Sequence, residues 1–261
     1  MIFSIEVTPN TDVSALPQSV REVSITFLPG ACYQEIVDQA VRLKQLGFDP
    51  IPHIPARGLR SRQELADFIV QLRARANIRQ VLLISGSGTE PLGPYATVLD
   101  LLETGLFDGL RIGVAGHPEG MPQISEAACD RFLLLKNQYA RDTGSDLFII
   151  TQWSLDVEAI AAWLNRIDAF NTLPVYLGIP GPTTPTGLLK FAKICGVKNS
   201  LLGLRNQSGR LGQLLTVQTP DYLVDGLSDR VNHFHIFTFG GLKRTTDWLA
   251  TRPSKILTTR P

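Results

Sequence analysis

The chain has 261 residues, a formal net charge of +1 and 44% hydrophobic residues. That length suits one large globular domain, and the near-neutral charge argues against the basic surface that DNA- and RNA-binding proteins usually carry. Apolar runs stay well short of the ~20 residues that span a bilayer, and Met1 leads straight into strand-like sequence, so neither a membrane span nor a signal peptide is expected.

Short apolar runs alternate along the chain with longer segments of helical spacing. This alternation is typical of βαβ units and a parallel sheet. Most of the short runs are almost continuously apolar, as strands covered on both faces are. The eight predicted strands are Ile2–Val7, Glu22–Phe27, Pro50–Ile54, Gln80–Ser85, Arg111–Gly116, Leu147–Gln152, Val175–Ile179 and His233–Phe239.

Apolar residues recur at helical spacing in the segments between these strands. Gly47 is expected to end the first helix, and Ser61 with Glu64 predicts a capping box at the start of the second. The long connection from Gly196 to Arg230 predicts extra helices, one of which carries Leu211, Leu214, Leu215 and Val217. The other predicted helices are Tyr33–Leu46, Ser61–Ala76, Asp156–Ile167 and Thr183–Cys195.

Eight strand–helix repeats favour a single α/β domain over residues 1–261, a closed (β/α)₈ TIM barrel with extra helices before the last strand. An open doubly wound sheet of eight strands is the alternative. In a barrel of this kind the chemistry lies at the C-terminal ends of the strands. Polar residues that close an apolar strand are therefore the candidate site residues.

Glu6 is the most informative of them. It lies inside the apolar run Phe3–Val7, where an ionised carboxylate is costly to bury without a partner. A buried carboxyl group is a candidate general acid. The alternative is a structural ion pair with an arginine of the core or the rim.

The four histidines, His53, His117, His233 and His235, all lie in or beside predicted strands. Their spacing does not match a zinc motif, so no metal site is predicted. Each histidine either contacts a ligand at the barrel mouth or is a hydrogen-bonded core residue.

The Gly-rich segment Ser85–Gly88 follows the fourth strand. It either wraps a phosphate or flat ring, or is an ordinary loop. It lacks the Lys-Ser/Thr of a P-loop and the spacing of a dinucleotide fingerprint, and the chain has no G-x-S-x-G hydrolase elbow.

The three cysteines, Cys32, Cys129 and Cys195, lie far apart with no C-x-x-C pair. This usage is typical of reduced thiols in a cytosolic protein. We therefore predict a cytoplasmic protein in which each cysteine is a small buried apolar residue.

Several segments spread in order over nearly the whole chain match one known pattern, and the segment from Ile112 to Pro122, I-G-V-A-G-H-P-E-G-M-P, is among the more specific. The others are Ser4–Pro9, Val23–Thr26, Pro52–Ile54, Phe148–Gln152, Leu188–Ala192 and His235–Thr238. Together they resemble the methylenetetrahydrofolate reductase family.

The resemblance implies an oxidoreductase that interconverts 5,10-methylenetetrahydrofolate and 5-methyltetrahydrofolate with NAD(P)H, with no nucleic-acid or membrane partner. Glu6 matches the family's catalytic acid, which helps to open the methylene bridge. Positions that match the folate side of the site are Gln152, Phe191 and Ser87. Positions that match contacts to FAD are Thr26, His53, Ser85, Gly86, Tyr95, Ala115, Gly116 and His117. The oligomeric state stays open, with a homo-oligomer among the options.

The chain departs from the family pattern mainly on the FAD side. The family's Arg-Gly-Asp after the fourth strand is Ser85-Gly86-Ser87, and its strand-five tyrosine is His117. The basic pair on the following helix is not reproduced around Lys136, and the folate-contacting arginine after the last strand is Gly241. A diphosphate without its basic partners binds less well.

These departures leave two routes for the hydride, either through bound FAD or directly from reduced nicotinamide. Two other functions also stay open. One is a pterin-dependent methyltransferase on the same barrel. The other is a catalytically inactive folate- or flavin-binding regulatory protein.

Overall fold

The computed structural model describes residues 1–28, 30–86, 90–121, 124–195 and 217–252. Eight parallel strands pair each with the next, and the last pairs with the first, to close a barrel. The predicted TIM barrel is confirmed, and the open sheet is wrong because the first strand pairs with the eighth. The strands are β1 Ile2–Val7, β2 Glu22–Ile25, β3 Asp49–Pro55, β4 Gln80–Ile84, β5 Arg111–Gly116, β6 Leu147–Thr151, β7 Val175–Pro180 and β8 His233–Phe237.

Helices cover the outside of the barrel. Among the described residues they are α1 Tyr33–Gln45, α2 Arg62–Ala76, α3 Val98–Leu102, α4 Glu126–Thr143, α5 Val157–Asp168, α6 Pro185–Cys195, α7 Asp221–Leu227 and α8 Leu242–Ala250. The short helix α7 is an extra element before β8, as predicted. The other predicted helix carried Leu211, Leu214 and Leu215, which lie outside the described residues, together with Val217, which is exposed. No helix within the described ranges has the length and apolar character to cross a membrane.

The helix ends follow their local sequence with one difference. Gly47, with φ +87°, ends α1 in the left-handed region that glycine tolerates. At the start of α2, the Ser61 hydroxyl accepts a hydrogen bond from the Glu64 N–H at 3.1 Å. The Glu64 carboxylate, however, accepts from the N–H of Arg60 rather than that of Ser61. The predicted capping box is therefore only half formed.

The core has two layers because alternate residues of each strand face opposite sides. Outward-facing residues such as Ile5, Val114 and Leu177 pack under the helices with residues such as Ile36 and Leu65. Inward-facing residues form a second cluster that fills the middle of the barrel: Ile51, Leu82, Phe148, Ile150 and Tyr176.

A cluster of polar side chains closes the N-terminal end of the barrel. The Arg111 guanidinium donates to the Tyr176 hydroxyl at 2.6 Å and lies 3.6 Å from the Glu22 carboxylate, which also accepts from Gln80. Burial raises the pKa of Glu22, and the charge of Arg111 opposes that rise. Burial also raises the pKa of Tyr176 to about 12. The open end of the barrel is therefore the C-terminal mouth, where TIM-barrel enzymes carry their chemistry.

The cysteine prediction is wrong for Cys32. Cys32 is exposed because it occupies the position just before α1, at the barrel rim. Cys129 lies half-buried on α4, where burial raises the pKa of its thiol. Both thiols are free.

Candidate functional site

Glu6 faces two histidines at the barrel mouth. It lies near the end of β1 with its side chain 17% exposed, and its Oε2 is 3.6 Å from Nε2 of His53 and 3.7 Å from Nε2 of His235. The two imidazoles come from β3 and β8 and converge on one carboxylate oxygen. Among the described residues, the ion-pair partners of Glu6 are thus histidines and not an arginine of the core or rim.

His53 is a neutral imidazole at physiological pH. Its burial lowers its pKa to about 4, although the charge of Glu6 opposes this and His235 adds to it. A neutral imidazole carries one donor and one acceptor nitrogen. Its Nε2 has no hydrogen-bond partner among the described residues, and the Glu6 oxygen lies just beyond hydrogen-bond distance.

His235 is fully buried and is fixed from behind by Ser4. The Ser4 hydroxyl lies 2.9 Å from His235 Nδ1 and 3.0 Å from His233 Nε2. The Thr238 hydroxyl donates to the backbone carbonyl of Glu6 at 2.9 Å, which ties the end of β8 to the end of β1. The glutamate and its partner therefore sit on a rigid frame.

An aromatic wall extends from the glutamate across the mouth. We define it as Trp153, Phe191, Phe237 and Phe239. The ring of Phe191 stacks on Phe239 at 4.1 Å and 13°, Trp153 meets Phe239 edge-on, and Phe237 lies 5.6 Å from Phe239. Phe237 also meets the His235 imidazole edge-on at 5.2 Å. Faces and edges of this kind suit a flat aromatic ligand.

Gln152 and Phe191 both belong to this mouth. Gln152 follows β6, and its N–H donates to the carbonyl of Gly116 at 2.8 Å. Its side-chain oxygen accepts from the N–H of Trp153, the next residue in the wall. Phe191 is half-buried and forms one face of the wall. Ser87, the third predicted folate contact, lies outside the described residues.

The eight positions predicted from the resemblance to contact FAD divide into two groups. Thr26, Ser85, Ala115 and His117 are half-buried near strand ends, and Gly86 follows Ser85 with φ +87°. By contrast, His53 is 4% exposed, Tyr95 is 6% exposed and packs in the outer core, and Gly116 is buried.

Packing accounts for the glycine at position 116. A Cβ there would lie 2.7 Å from Ile149 and 3.2 Å from Trp163, under the helix layer. Gly86 differs, because the turn itself requires glycine. Its φ is positive, and a Cβ at this position would lie 3.0 Å from the Cβ of Pro55.

Lys136 is a polar residue that the sequence analysis did not place at the site. It lies on α4, is 8% exposed, and its ammonium donates to the carbonyl of Ala115 at 3.1 Å. Burial lowers its pKa to about 8. Burial and the charge of Lys136 also lower the pKa of His117 to about 4. The signal in the sequence was a lone lysine at the end of the run Phe132–Leu135.

The position that matches the family's folate-contacting arginine, Gly241, lies on the surface. Gly241 is exposed and precedes α8, and Lys243 pairs with Asp247 on that helix at 2.7 Å. Within the described residues, no group of three histidine, cysteine or acidic side chains is arranged to hold a metal ion.

The described residues do not fit a flavin in the position that the resemblance implies. Tyr95 and Gly116, two of the eight matched positions, are closed off by packing, and the Lys136 ammonium is bonded to the backbone of β5. A diphosphate needs donors that face it. The described residues therefore give no basis for a chemical step through FAD.

Comparisons with known proteins agree with this fold and include a sequence relative. No protein-family model matches the chain. The barrel is similar to the crystal structure of oxaloacetate acetylhydrolase, with a TM-score of 0.55 and 13% identity over 96% of this chain and 79% of that one. It is also similar to a conserved protein of unknown function from Enterococcus faecalis, with a TM-score of 0.53 and 11% identity over 94% and 64% of the two chains. At these identities the likeness shows the fold alone.

The sequence relative belongs to the family that the motifs resemble. Methylenetetrahydrofolate reductase 1 of Schizosaccharomyces pombe is 28% identical in an alignment of 189 residues that covers 67% of this chain. Those residues cover 30% of that reductase. The chain is thus a TIM barrel with a distant similarity to a methylenetetrahydrofolate reductase.

Proposed function

We propose that the protein is an oxidoreductase that interconverts 5,10-methylenetetrahydrofolate and 5-methyltetrahydrofolate with NAD(P)H. The observation that carries the proposal is a half-buried glutamate, Glu6, that faces two histidines at the open end of the barrel beside an aromatic wall. The similarity to the yeast reductase supports it independently.

In this proposal Glu6 is the general acid. Opening the methylene bridge needs a proton on the departing nitrogen, and a positioned carboxyl group supplies it. His53 beside it stays neutral, because burial lowers its pKa to about 4. The same carboxylate takes the proton back in the reverse direction.

The aromatic wall positions the two flat rings that must meet for hydride transfer. A pterin and a nicotinamide are both planar, and stacking on Phe191 and Phe239 holds such rings at van der Waals distance. The Gln152 amide at the same mouth can donate to and accept from the pterin edge. Holding the reactants in this geometry removes much of the entropic barrier.

Reduced nicotinamide supplies the hydride directly in this scheme and is consumed as a substrate. The protein's own contribution is to position the two rings, exclude water and hold the proton at Glu6. This choice follows from the poor fit of the flavin positions, above all buried Tyr95 and Gly116.

Replacing Glu6 by glutamine tests the proposal. A general acid contributes roughly 10²- to 10⁴-fold to a rate, so Glu6→Gln should lower methylenetetrahydrofolate-dependent NADH oxidation by at least about a hundredfold. Folate binding, measured by calorimetry, should change little because glutamine keeps the shape of the side chain. Glu158→Gln, on the exposed face of α5, is the matched control and should keep full activity.

Two outcomes would overturn the proposal. Unchanged turnover in Glu6→Gln would remove the general acid. A wild-type protein that binds folate but oxidises no NADH would instead point to a binding protein without catalysis.

A further inference from the structure

A line of hydrogen-bonding side chains runs down the inside of the barrel behind Glu6. It consists of His235, Ser4 and His233, which are 0%, 0% and 7% exposed. The Ser4 hydroxyl lies between the two imidazoles, 2.9 Å from His235 Nδ1 and 3.0 Å from His233 Nε2. At its upper end, His235 Nε2 faces Glu6 at 3.7 Å. At its lower end, His233 Nε2 faces Glu22 at 3.7 Å.

Two patterns of hydrogens let the Ser4 hydroxyl donate to one imidazole and accept from the other. If both imidazoles donated to it, the hydroxyl hydrogen would have no acceptor among the described residues. In the first pattern, Ser4 donates to His235 Nδ1 and accepts from His233 Nε2–H. His235 then carries its hydrogen on Nε2, directed at Glu6. In the second, Ser4 donates to His233 and accepts from His235 Nδ1–H, so that His235 presents a bare Nε2 to Glu6.

The charges around His233 decide between these patterns. Its Nε2 lies 3.7 Å from Glu22 Oε2, an oxygen with no hydrogen-bond donor among the described residues. The Arg111 guanidinium, 3.6 Å from the other Glu22 oxygen, favours the ionised carboxylate. A carboxylate repels a bare nitrogen lone pair and attracts an N–H. Ionised Glu22 therefore favours a hydrogen on His233 Nε2.

The other groups packed against His233 keep the ring fixed and uncharged. Its ring stacks on Tyr176 at 3.4 Å, and burial, His235 and Arg111 all lower its pKa. A neutral imidazole with a hydrogen on Nε2 has none on Nδ1. The tautomer of His233 is thus tied to the charge of Glu22.

We propose that Ser4 and His233 are positioning residues that set His235 as its Nε2–H tautomer, with that hydrogen directed at Glu6. Through these hydrogen bonds, the charge of Glu22 at the closed end of the barrel determines which nitrogen His235 presents to Glu6 at the mouth. The effect of this network on turnover rests on the proposed function, whereas the tautomer itself does not.

The consequence for Glu6 is a defined orientation. An N–H directed at Oε2 keeps the side chain of Glu6 facing His235. Without the Ser4 hydroxyl, His235 is free to turn its bare nitrogen toward Glu6, and this orientation is lost.

Histidine ¹⁵N NMR tests the proposal directly, because the chain has only four histidines. In the wild type, the His235 signals should show a hydrogen on Nε2 and a bare Nδ1, with the assignment made by loss of the signals in His235→Asn. In Ser4→Ala the Nδ1–H form should appear. The matched control is Ser24→Ala, which removes a buried hydroxyl that has no hydrogen-bond partner among the described residues, and should leave the spectrum of His235 unchanged.

Glu22→Gln is a second test that leaves Ser4 in place. Loss of the charge should shift His235 toward the Nδ1–H form from the far end of the barrel, and an unchanged tautomer would remove His233 from the proposal. A wild-type His235 with its hydrogen on Nδ1, or one unaffected in Ser4→Ala, would overturn the role of Ser4.

Turnover, measured beside the NMR spectra, separates this inference from the proposed function. If Glu6 is the acid, Ser4→Ala should lower kcat with little change in KM, because His235 no longer orients the carboxyl group. The expected tautomers in a protein without turnover would uphold the network and reject the reductase proposal. Turnover with the wrong tautomer would do the reverse.

Discussion

Replacement of His53 by asparagine should remove a defined part of the protein's sensitivity to acid. His53 is buried neutral, and its pKa falls from 6.5 to about 4 on folding. Below about pH 6.5, His53 therefore binds a proton in the unfolded chain, whereas in the folded chain it stays neutral until the pH falls to about 4. The stability that this group contributes is complete above pH 6.5 and is lost as the pH falls toward 4.

The magnitude follows from those two values. Between pH 7 and pH 5, protonation of a group with pKa 6.5 favours the unfolded state by about 2 kcal/mol, whereas the folded group binds almost no proton. Urea unfolding of the wild type and His53→Asn at both pH values gives the loss of stability for each. The loss should be about 2 kcal/mol smaller in the variant. Between pH 7 and pH 8, the free energy of unfolding should change equally in the two proteins. An equal loss in both proteins would show that His53 is not held neutral, and the account of the Glu6 site would fail with it.

Three further results are expected. Arg111→Met should lower the free energy of unfolding, measured in urea at neutral pH, by about 3 kcal/mol, because it leaves the Glu22 carboxylate buried without its cation. The double variant with Glu22→Gln should recover much of that loss. Additive losses would contradict the pairing. Gly116→Ala should lower the free energy of unfolding by about 1–3 kcal/mol, because its Cβ would lie 2.7 Å from Ile149. Gly226→Ala on α7, whose Cβ would lie 3.4 Å from its nearest neighbour, should be neutral or stabilising. Equal effects would show that packing does not require glycine at position 116. The protein as purified should lack the visible absorption of a flavin, and a stoichiometric yellow chromophore would contradict the poor fit of the FAD positions.

The sequence was sufficient for the barrel because its strands are nearly continuous apolar runs. Such runs mark strands buried on both faces, and their alternation with helices leaves few topologies. The ends were less accurate. The last strand was predicted to reach Phe239 but ends at Phe237, since the N–H of Phe239 bonds back to the carbonyl of Phe237 and turns the chain.

Glu6 was predictable because a carboxylate inside an apolar strand is costly and needs a reason. Its partners were not, since His53 and His235 lie on different strands and meet only when the barrel closes. Lys136 was missed because its position on a helix indicates a solvated face, whereas the structure turns its amine inward to the end of β5. Gly116 matched a ligand contact in the resemblance, yet the helix layer alone explains the need for glycine there.

Methylenetetrahydrofolate-dependent oxidation of NADH and NADPH by the purified, flavin-free protein tests the central claim most directly. The account predicts turnover without added FAD, formation of 5-methyltetrahydrofolate in equal amount to the nicotinamide consumed, and loss of both in Glu6→Gln. A folded protein that produces no 5-methyltetrahydrofolate with either nicotinamide, or that does so only after FAD is added, would contradict it.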